Sequence, residues 1–305
     1  MTFSLQGILD HYGLTKRPFT LVPDPNFLYL TSQHSNAQAV LDYGIMSCAP
    51  ITMVVGEIGT GKTTVVCEFL GRSPEDLTIG LVANAAPADR AEMLRLVLIA
   101  LGEAVDETKG YSSLYAQLET FLVEQYRLER RVVLIFDEAQ NLDRDSLEHL
   151  RMLTNINFGE HELVQLVLVG QPELEDMIRR PDLKQMAQRV SAQVFLSNLK
   201  QDEIEDYIKF RLEVAGVTRE LFEPDTFEMI FKHTGGVPRI VNQFCDYALL
   251  YGFSVNAEMI STDILSKVIE DRLVISLDTG GENTRMGLGA PSVTKFVPVR
   301  DGDAL

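Results

Sequence analysis

The chain has 305 residues, enough for two domains, or one large α/β domain with an appendage, at about 150 residues per domain. Hydrophobic residues make up 46% and charged residues 23%, an ordinary globular balance that excludes a wholly disordered or fibrous chain. Lys and Arg number 27 against 44 Asp and Glu, and the formal net charge of -17 argues against holding nucleic acid or anionic lipid by bulk attraction.

The longest apolar stretches, Ile51 to Val55, Val132 to Phe136 and Leu163 to Val169, fall far short of the roughly 20 residues that span a bilayer. The first residues lack the basic, apolar and small-residue order of a secretory leader. A cytoplasmic location without a transmembrane segment is therefore expected. Cys48, Cys67 and Cys245 are widely spaced and form no CxxC, so they read as reduced, mostly buried thiols.

In chain order, residues 1–50 read as an arm that packs on the domain after it. The segment Arg17 to Thr31 holds three prolines and should be extended and turning. Four short aliphatic runs follow, at 51–55, 77–84, 131–136 and 163–170, as expected of strands buried on both faces, and a fifth strand is expected after Arg189. Helical stripes lie between them at 88–101 and 111–128. Residues 51–197 are accordingly an α/β domain, a parallel sheet covered by helices on both faces. From 198 to 275 the strands stop and four helical patterns, at 201–215, 225–231, 238–250 and 261–273, make a small helical domain. Residues 276–305 are glycine-rich without periodicity and read as a flexible tail.

Directly after the first strand, Gly56, Glu57, Ile58, Gly59, Thr60, Gly61, Lys62 and Thr63 satisfy G-x-x-x-x-G-K-[ST], and Thr64 continues into a helical run. Glycines let backbone N–H groups curl around phosphate oxygens, and a helix N-terminus adds partial positive charge. Lys62 is expected to reach the β- and γ-phosphates of ATP, with Thr63 a ligand of Mg²⁺. The run 131–136 then delivers Asp137 and Glu138 at a strand end, where open α/β sheets bind ligands. Asp137 is assigned to the Mg²⁺ shell. Glu138 is assigned to orienting and deprotonating water, which favours hydrolysis over phosphoryl transfer to a small molecule. The long interval from Lys62 to Asp137 leaves room for a strand and its crossover helices, as an ASCE-type strand order requires.

Other polar residues have two readings each. Asn84, ending the second strand, either holds Glu138 in an inactive rotamer or is a strand-end turn. Gln171, after the strand at 163–170, either senses the γ-phosphate and water or, with Pro172, starts a helix. Arg239 opens a helix in "GGVPR", where the helix dipole disfavours a cation unless an anion such as a nucleotide phosphate is near; it either meets that phosphate or is an ordinary surface arginine. Arg189 is either an arginine finger toward a neighbouring subunit or a structural ion pair. The five histidines show no metal spacing. Arg127, Arg130, Arg131, Arg179 and Arg180 read as solvated helix faces.

The segments "YGLTKRPFTLVPDPNFLYLTSQH", "GEIGTGKTT", "VVLIFDEAQNL", "LVLVGQPEL", "QRV" and "GGVPRIVNQFCDYALL" resemble the AAA+ ATPases of the ExeA, or general secretion pathway protein A, type, over roughly residues 7–272. The resemblance implies a P-loop AAA+ fold with a helical lid, Mg²⁺-dependent ATP hydrolysis and homo-oligomers in the ATP-bound state. It implies that Arg239 acts as sensor 2, that Gln171 lies near sensor 1, and that Arg189 is the finger. Family members commonly carry a second arginine four residues after Arg189, where this chain has Gln193. Secretion members continue into a transmembrane helix and a peptidoglycan-binding domain, whereas this sequence ends in its glycine-rich tail and is more similar to short relatives of pilus or exopolysaccharide assembly. The implied partners are envelope assembly or secretion proteins, which would hold it peripherally at the inner membrane. A DNA-associated regulatory ATPase of the transposition type is the second reading, and a nucleotide switch with little turnover is the third.

Overall fold

The computed structural model describes residues 4–21, 25–271 and 292–293. Its first half runs α1 (Leu5–Tyr12), α2 (Ser32–Met46), β1 (Ile51–Gly56), α3 (Lys62–Arg72), β2 (Leu77–Ala83), α4 (Arg90–Ala100), α5 (Tyr111–Arg127) and β3 (Arg131–Asp137). Next come α6 (Arg144–Leu153), the hairpin β4 (Asn157–Phe158) and β5 (His161–Glu162), β6 (Val164–Gly170), α7 (Pro172–Ile178), α8 (Lys184–Arg189) and β7 (Val190–Leu196). The helices α9 (Ile204–Val214), α10 (Pro224–Thr234), α11 (Pro238–Ser254) and α12 (Thr262–Glu270) follow, and β8 (Ser292–Val293) is the last element.

Five strands pair in parallel in the order β7, β1, β6, β3, β2, and β8 adds antiparallel to β2. One strand, β6, thus separates β1 from β3, the arrangement expected of an ASCE-type order. Because side chains alternate across a strand, each aliphatic run feeds two cores. Met53, Val55, Leu134 and Phe136 join one core with Leu94, Leu98, Leu118 and Leu150 from the helices. Val54, Val133, Ile135 and Val169 join the other with Leu41 and Phe69. In register, Val55 lies opposite Gly170 and Phe136 opposite Leu168, so the ends of β1, β6 and β3 line one edge of the sheet.

The chain divides into two compact units. The sheet unit takes His34–Glu57, Val65–Leu196 and β8; the helical unit takes the described residues up to Gln33, Ile58–Thr64 and those from Ser197 onward. Residues 1–50, expected as a single arm, divide between the two units. Within them, α2 is a fifteen-residue helix whose Ala37, Leu41 and Ile45 join the core of the sheet unit. Its buried face is His34, Ala37, Leu41, Gly44 and Ile45, whose spacing is helical but whose small and polar members hide the stripe. Gly44 is required by contact, since a Cβ there would meet Thr52 Oγ1 of β1 at 2.2 Å.

The residues up to Gln33 belong to the helical unit. Tyr12 is buried and donates its hydroxyl to the Leu249 carbonyl at 3.2 Å. Thr15 donates both its backbone N–H, at 2.8 Å, and its hydroxyl, at 2.9 Å, to the Ala215 carbonyl. Arg211, on α9, is only 6% exposed and donates to the carbonyls of Pro18 at 2.6 Å and Thr20 at 3.4 Å, with the Phe27 ring 4.8 Å from its guanidinium. A proline-rich arm has free carbonyls to offer, and α9 supplies the cation that takes them.

Of the tail at 276–305, all but Ser292 and Val293 lies outside the described residues. Cys48 is exposed, unlike Cys245, which is fully buried with its thiol pushed up by burial. Arg131 begins a strand rather than lying on a helix face, and donates to the Ile45 carbonyl at 3.0 Å and to Asp76 at 3.2 Å. Among the described residues, no helix is long and apolar enough to cross a membrane.

Candidate nucleotide site

In the helical unit, the glycine loop turns with Gly59 at φ 81° and Gly61 at φ 97°, backbone that L side chains rarely adopt. Lys62 then opens α3 and is buried, and Thr60 is fully buried. The loop is met by the start of α11. The Arg239 backbone N–H donates to the Gly59 carbonyl at 3.4 Å, and a Cβ on Gly59 would come within 2.8 Å of the Arg239 Cβ. "GGVPR" builds this corner residue by residue. Gly235 is left-handed and caps α10; Gly236, also left-handed, leaves 2.0 Å between an added Cβ and the Leu199 carbonyl; Val237 is extended and Pro238 starts α11. Arg239 projects from a helix N-terminus with an exposed side chain whose guanidinium has no hydrogen-bond partner among the described residues.

In the sheet unit, Asp137 ends β3 and is buried, and its Oδ1 accepts from the Glu138 backbone N–H at 2.9 Å. Glu138 is half-buried in the left-handed region, at φ 55° and ψ 39°, where the chain leaves the strand for a short 3-10 turn, Ala139–Asn141. The Oε2 atom of Glu138 accepts from Gln140 Nε2 at 2.5 Å and from Gln171 Nε2 at 3.2 Å. The Oε1 atom of Gln140 in turn accepts from the Gln171 backbone N–H at 3.1 Å. Cys67, on α3, has its thiol pushed up by burial and by the charge of Asp137, so the helix that follows the glycine loop runs near this carboxylate.

Gln171 is the N-cap residue before Pro172 and α7, the helix start of its second reading, and its side chain reaches Glu138 instead of capping the helix. Asn84 is an exposed residue at φ 53°, the conformation of a turn, and among the described residues it is not a partner of the Glu138 carboxylate. Of its two readings Asn84 shows the strand-end turn, and the side chains bonded to the Glu138 carboxylate are Gln140 and Gln171. Gln140 had not been singled out, although it lies inside "DEAQ", because its value depends on the end of β6 being beside it. Arg189 ends α8 with its guanidinium bound to the Thr154 hydroxyl at 2.9 Å, the Thr154 carbonyl at 3.2 Å, Glu162 at 3.3 Å and Asn155. Those bonds match a structural ion pair. Gln193 is exposed on β7, a strand that among the described residues pairs on one side only.

The donor chemistry suits a magnesium nucleotide. Two glycines with positive φ and a helix N-terminus are what a polyphosphate cradle needs. The Thr63 hydroxyl and the Asp137 carboxylate are hard oxygen ligands of the kind that Mg²⁺ takes beside phosphate.

The ordered parallel sheet, the glycine loop between β1 and α3, the acidic pair ending β3 and the helical region after β7 define a P-loop NTPase fold of the AAA type, and residues 46–178 match the family model for the AAA domain. The chain is similar to General secretion pathway protein A of Aeromonas hydrophila, at 36% identity over 243 residues. That match takes in 80% of this chain and 44% of the relative, so the chain spans less than half of that protein's length. Solved structures with the same fold include Cdc6p from Pyrobaculum aerophilum, with a TM-score of 0.66 and 17% identity over 84% of this chain and 73% of that one. The Aeropyrum pernix ORC2 protein in its ADPNP-ADP complexes has a TM-score of 0.63 and 18% identity over 84% of this chain and 71% of that one.

Proposed function

We propose that the chain binds ATP with Mg²⁺ and hydrolyses it, and that turnover drives or licenses assembly of an envelope-associated secretion, pilus or exopolysaccharide machine. The observation that carries the hydrolytic reading is the Glu138 carboxylate, held by two amides next to Asp137 on the sheet edge from which the glycine loop departs. A phosphate-binding loop alone serves kinases and switches equally; an oriented carboxylate in addition is what water attack needs.

Backbone N–H groups of Gly56–Thr64 and the Lys62 ammonium bind the phosphates. Thr63 and Asp137 would hold Mg²⁺, which when bound neutralises phosphate charge. Arg239 presents its guanidinium from the lid corner to the same anion, which removes the unfavourable pairing of a cation with a helix N-terminus. Glu138 takes a proton from water at Oε1, the oxygen that has no hydrogen-bond partner among the described residues. Gln171 holds that carboxylate and reports on water or the γ-phosphate. Arg189 acts as a trans finger in an ATP-bound homo-oligomer only after leaving Thr154, Asn155 and Glu162, so its first role is to fix the β4–β5 hairpin. The envelope setting rests on the similarity to General secretion pathway protein A.

The test is steady-state ATP turnover with and without Mg²⁺, for wild type and Lys62→Ala, alone and with duplex DNA or inner-membrane fractions. The expected result is Mg²⁺-dependent turnover, stimulated by the membrane fraction, that Lys62→Ala loses together with nucleotide affinity. Stimulation by DNA that fades steeply with salt would instead establish the transposition-type reading. Tight nucleotide binding without turnover would establish a switch.

A further inference from the structure

We infer that Gln140 is a positioning residue for the reaction: it clamps the Glu138 carboxylate so that Oε1, and not Oε2, faces the water. The inference deepens the proposed function and rests on Glu138 being the base. Gln140 uses both ends of its amide. Its Nε2 donates to Glu138 Oε2 at 2.5 Å, and its Oε1 accepts the backbone N–H of Gln171 at 3.1 Å. The Gln171 side chain adds a second donor on the same Oε2 at 3.2 Å. Two donors on one oxygen fix the plane of a carboxylate and leave the other oxygen's lone pairs for a proton.

The surroundings are built to hold this amide. The Asn141 backbone N–H donates to the Glu138 carbonyl at 2.9 Å, closing the turn that carries Gln140, and Ala139 is buried beneath it. At the end of β6, Gly170 leaves space for the amide: a Cβ there would come within 2.9 Å of Gln140 Oε1 and 2.8 Å of Leu174 Cδ2. Glu138 itself stays left-handed, a conformation that costs an ordinary residue about 1 kcal/mol and persists where its surroundings impose it. No other side chain of this length gives one donor and one acceptor in this geometry. Leucine supplies neither, and glutamate supplies an acceptor where a donor is needed.

The experiment measures Mg²⁺-ATP kinetics of the full chain, together with binding of a fluorescent ATP analogue and thermal melting, for Gln140→Leu, Gln140→Glu and Glu138→Gln. The expected result for Gln140→Leu is a fall in kcat of about 10- to 100-fold, with KM and nucleotide affinity changed by less than about twofold, because misorientation touches only the transition state. Gln140→Glu keeps the acceptor for Gln171 but sets a second carboxylate against Glu138, and falls at least as far; it decides the matter if the leucine variant does not fold. A wild-type kcat in either folded variant, with Glu138→Gln inactive, overturns the clamp alone. A loss expressed as raised KM or weakened nucleotide binding also overturns it, since a merely structural tie would act that way. If Glu138→Gln turns over as fast as wild type, the base assignment fails and the clamp with it.

Discussion

Both units of this chain have apolar cores, but one of them adds buried polar ties between distant segments. The sheet unit is assembled from aliphatic runs in which nearly every residue is buried, so its cores are determined within five or six neighbouring residues at a time. The helical unit also has an apolar core, Tyr12, Phe19, Ile208, Leu212, Phe244 and Leu265 among it, but distant segments are tied there by polar contacts as well: Thr15 with Ala215, Tyr12 with Leu249, and Arg211 with Pro18 and Thr20. Burial along a strand is a local property and tolerates a changed methyl group. A buried cation bonded to carbonyls nearly two hundred residues away tolerates much less, because removing it strands its acceptors.

That contrast predicts where single substitutions act. Arg211→Ala should have the larger effect, destabilising the helical unit by about 3 kcal/mol as its carbonyl partners lose a charged donor and the Phe27 ring loses its cation. Denaturant melts followed by amide exchange should place the loss in the arm and in α9 while the strands keep their protection. A change below about 0.5 kcal/mol, the range of ordinary surface substitutions, would break the comparison.

The sheet unit has its own exception, and it is smaller. His149 on α6 is fully buried, with Nε2 3.1 Å from the Tyr111 hydroxyl and Nδ1 without a partner among the described residues. Burial, and then the charge of Arg90, push its pKa down to about 4. The folded state holds this imidazole neutral, while the unfolded chain binds its proton near the ordinary 6.5, so its contribution is complete above that value and is lost as pH falls toward 4. Between pH 7 and pH 5 this amounts to about 2 kcal/mol. Chemical denaturation at the two pH values should show it, and His149→Gln should flatten the dependence over that window. An unchanged slope in the variant would assign the acid sensitivity to other groups.

The same contrast explains what was legible in the sequence. Strands β1, β2, β3 and β6 and helices α4, α5 and α9 to α12 follow from uninterrupted apolar patterns, and the glycine loop and the Asp137–Glu138 pair follow from their attachment to those strands. By contrast, α2 was hidden because Gly44 and His34 sit on its buried face. The arm's place was hidden because prolines and aromatic residues mark a segment that packs without marking what it packs against. Near Glu138 the sequence offered Asn84, one strand end away in a plausible order. The restraint came from Gln140, two residues along the chain, and Gln171, brought in by the pairing of β3 with β6.

The central claim is that an oriented Glu138 makes this AAA fold a hydrolase, and one measurement tests it most directly: single-turnover cleavage of ATP by Glu138→Gln beside its ATP affinity. Removal of a general base costs about a hundredfold or more. The account predicts that the variant binds ATP as tightly as wild type, cleaves it at least about a hundredfold more slowly, and accumulates in the ATP-bound oligomer. Cleavage at the wild-type rate with affinity intact would contradict it.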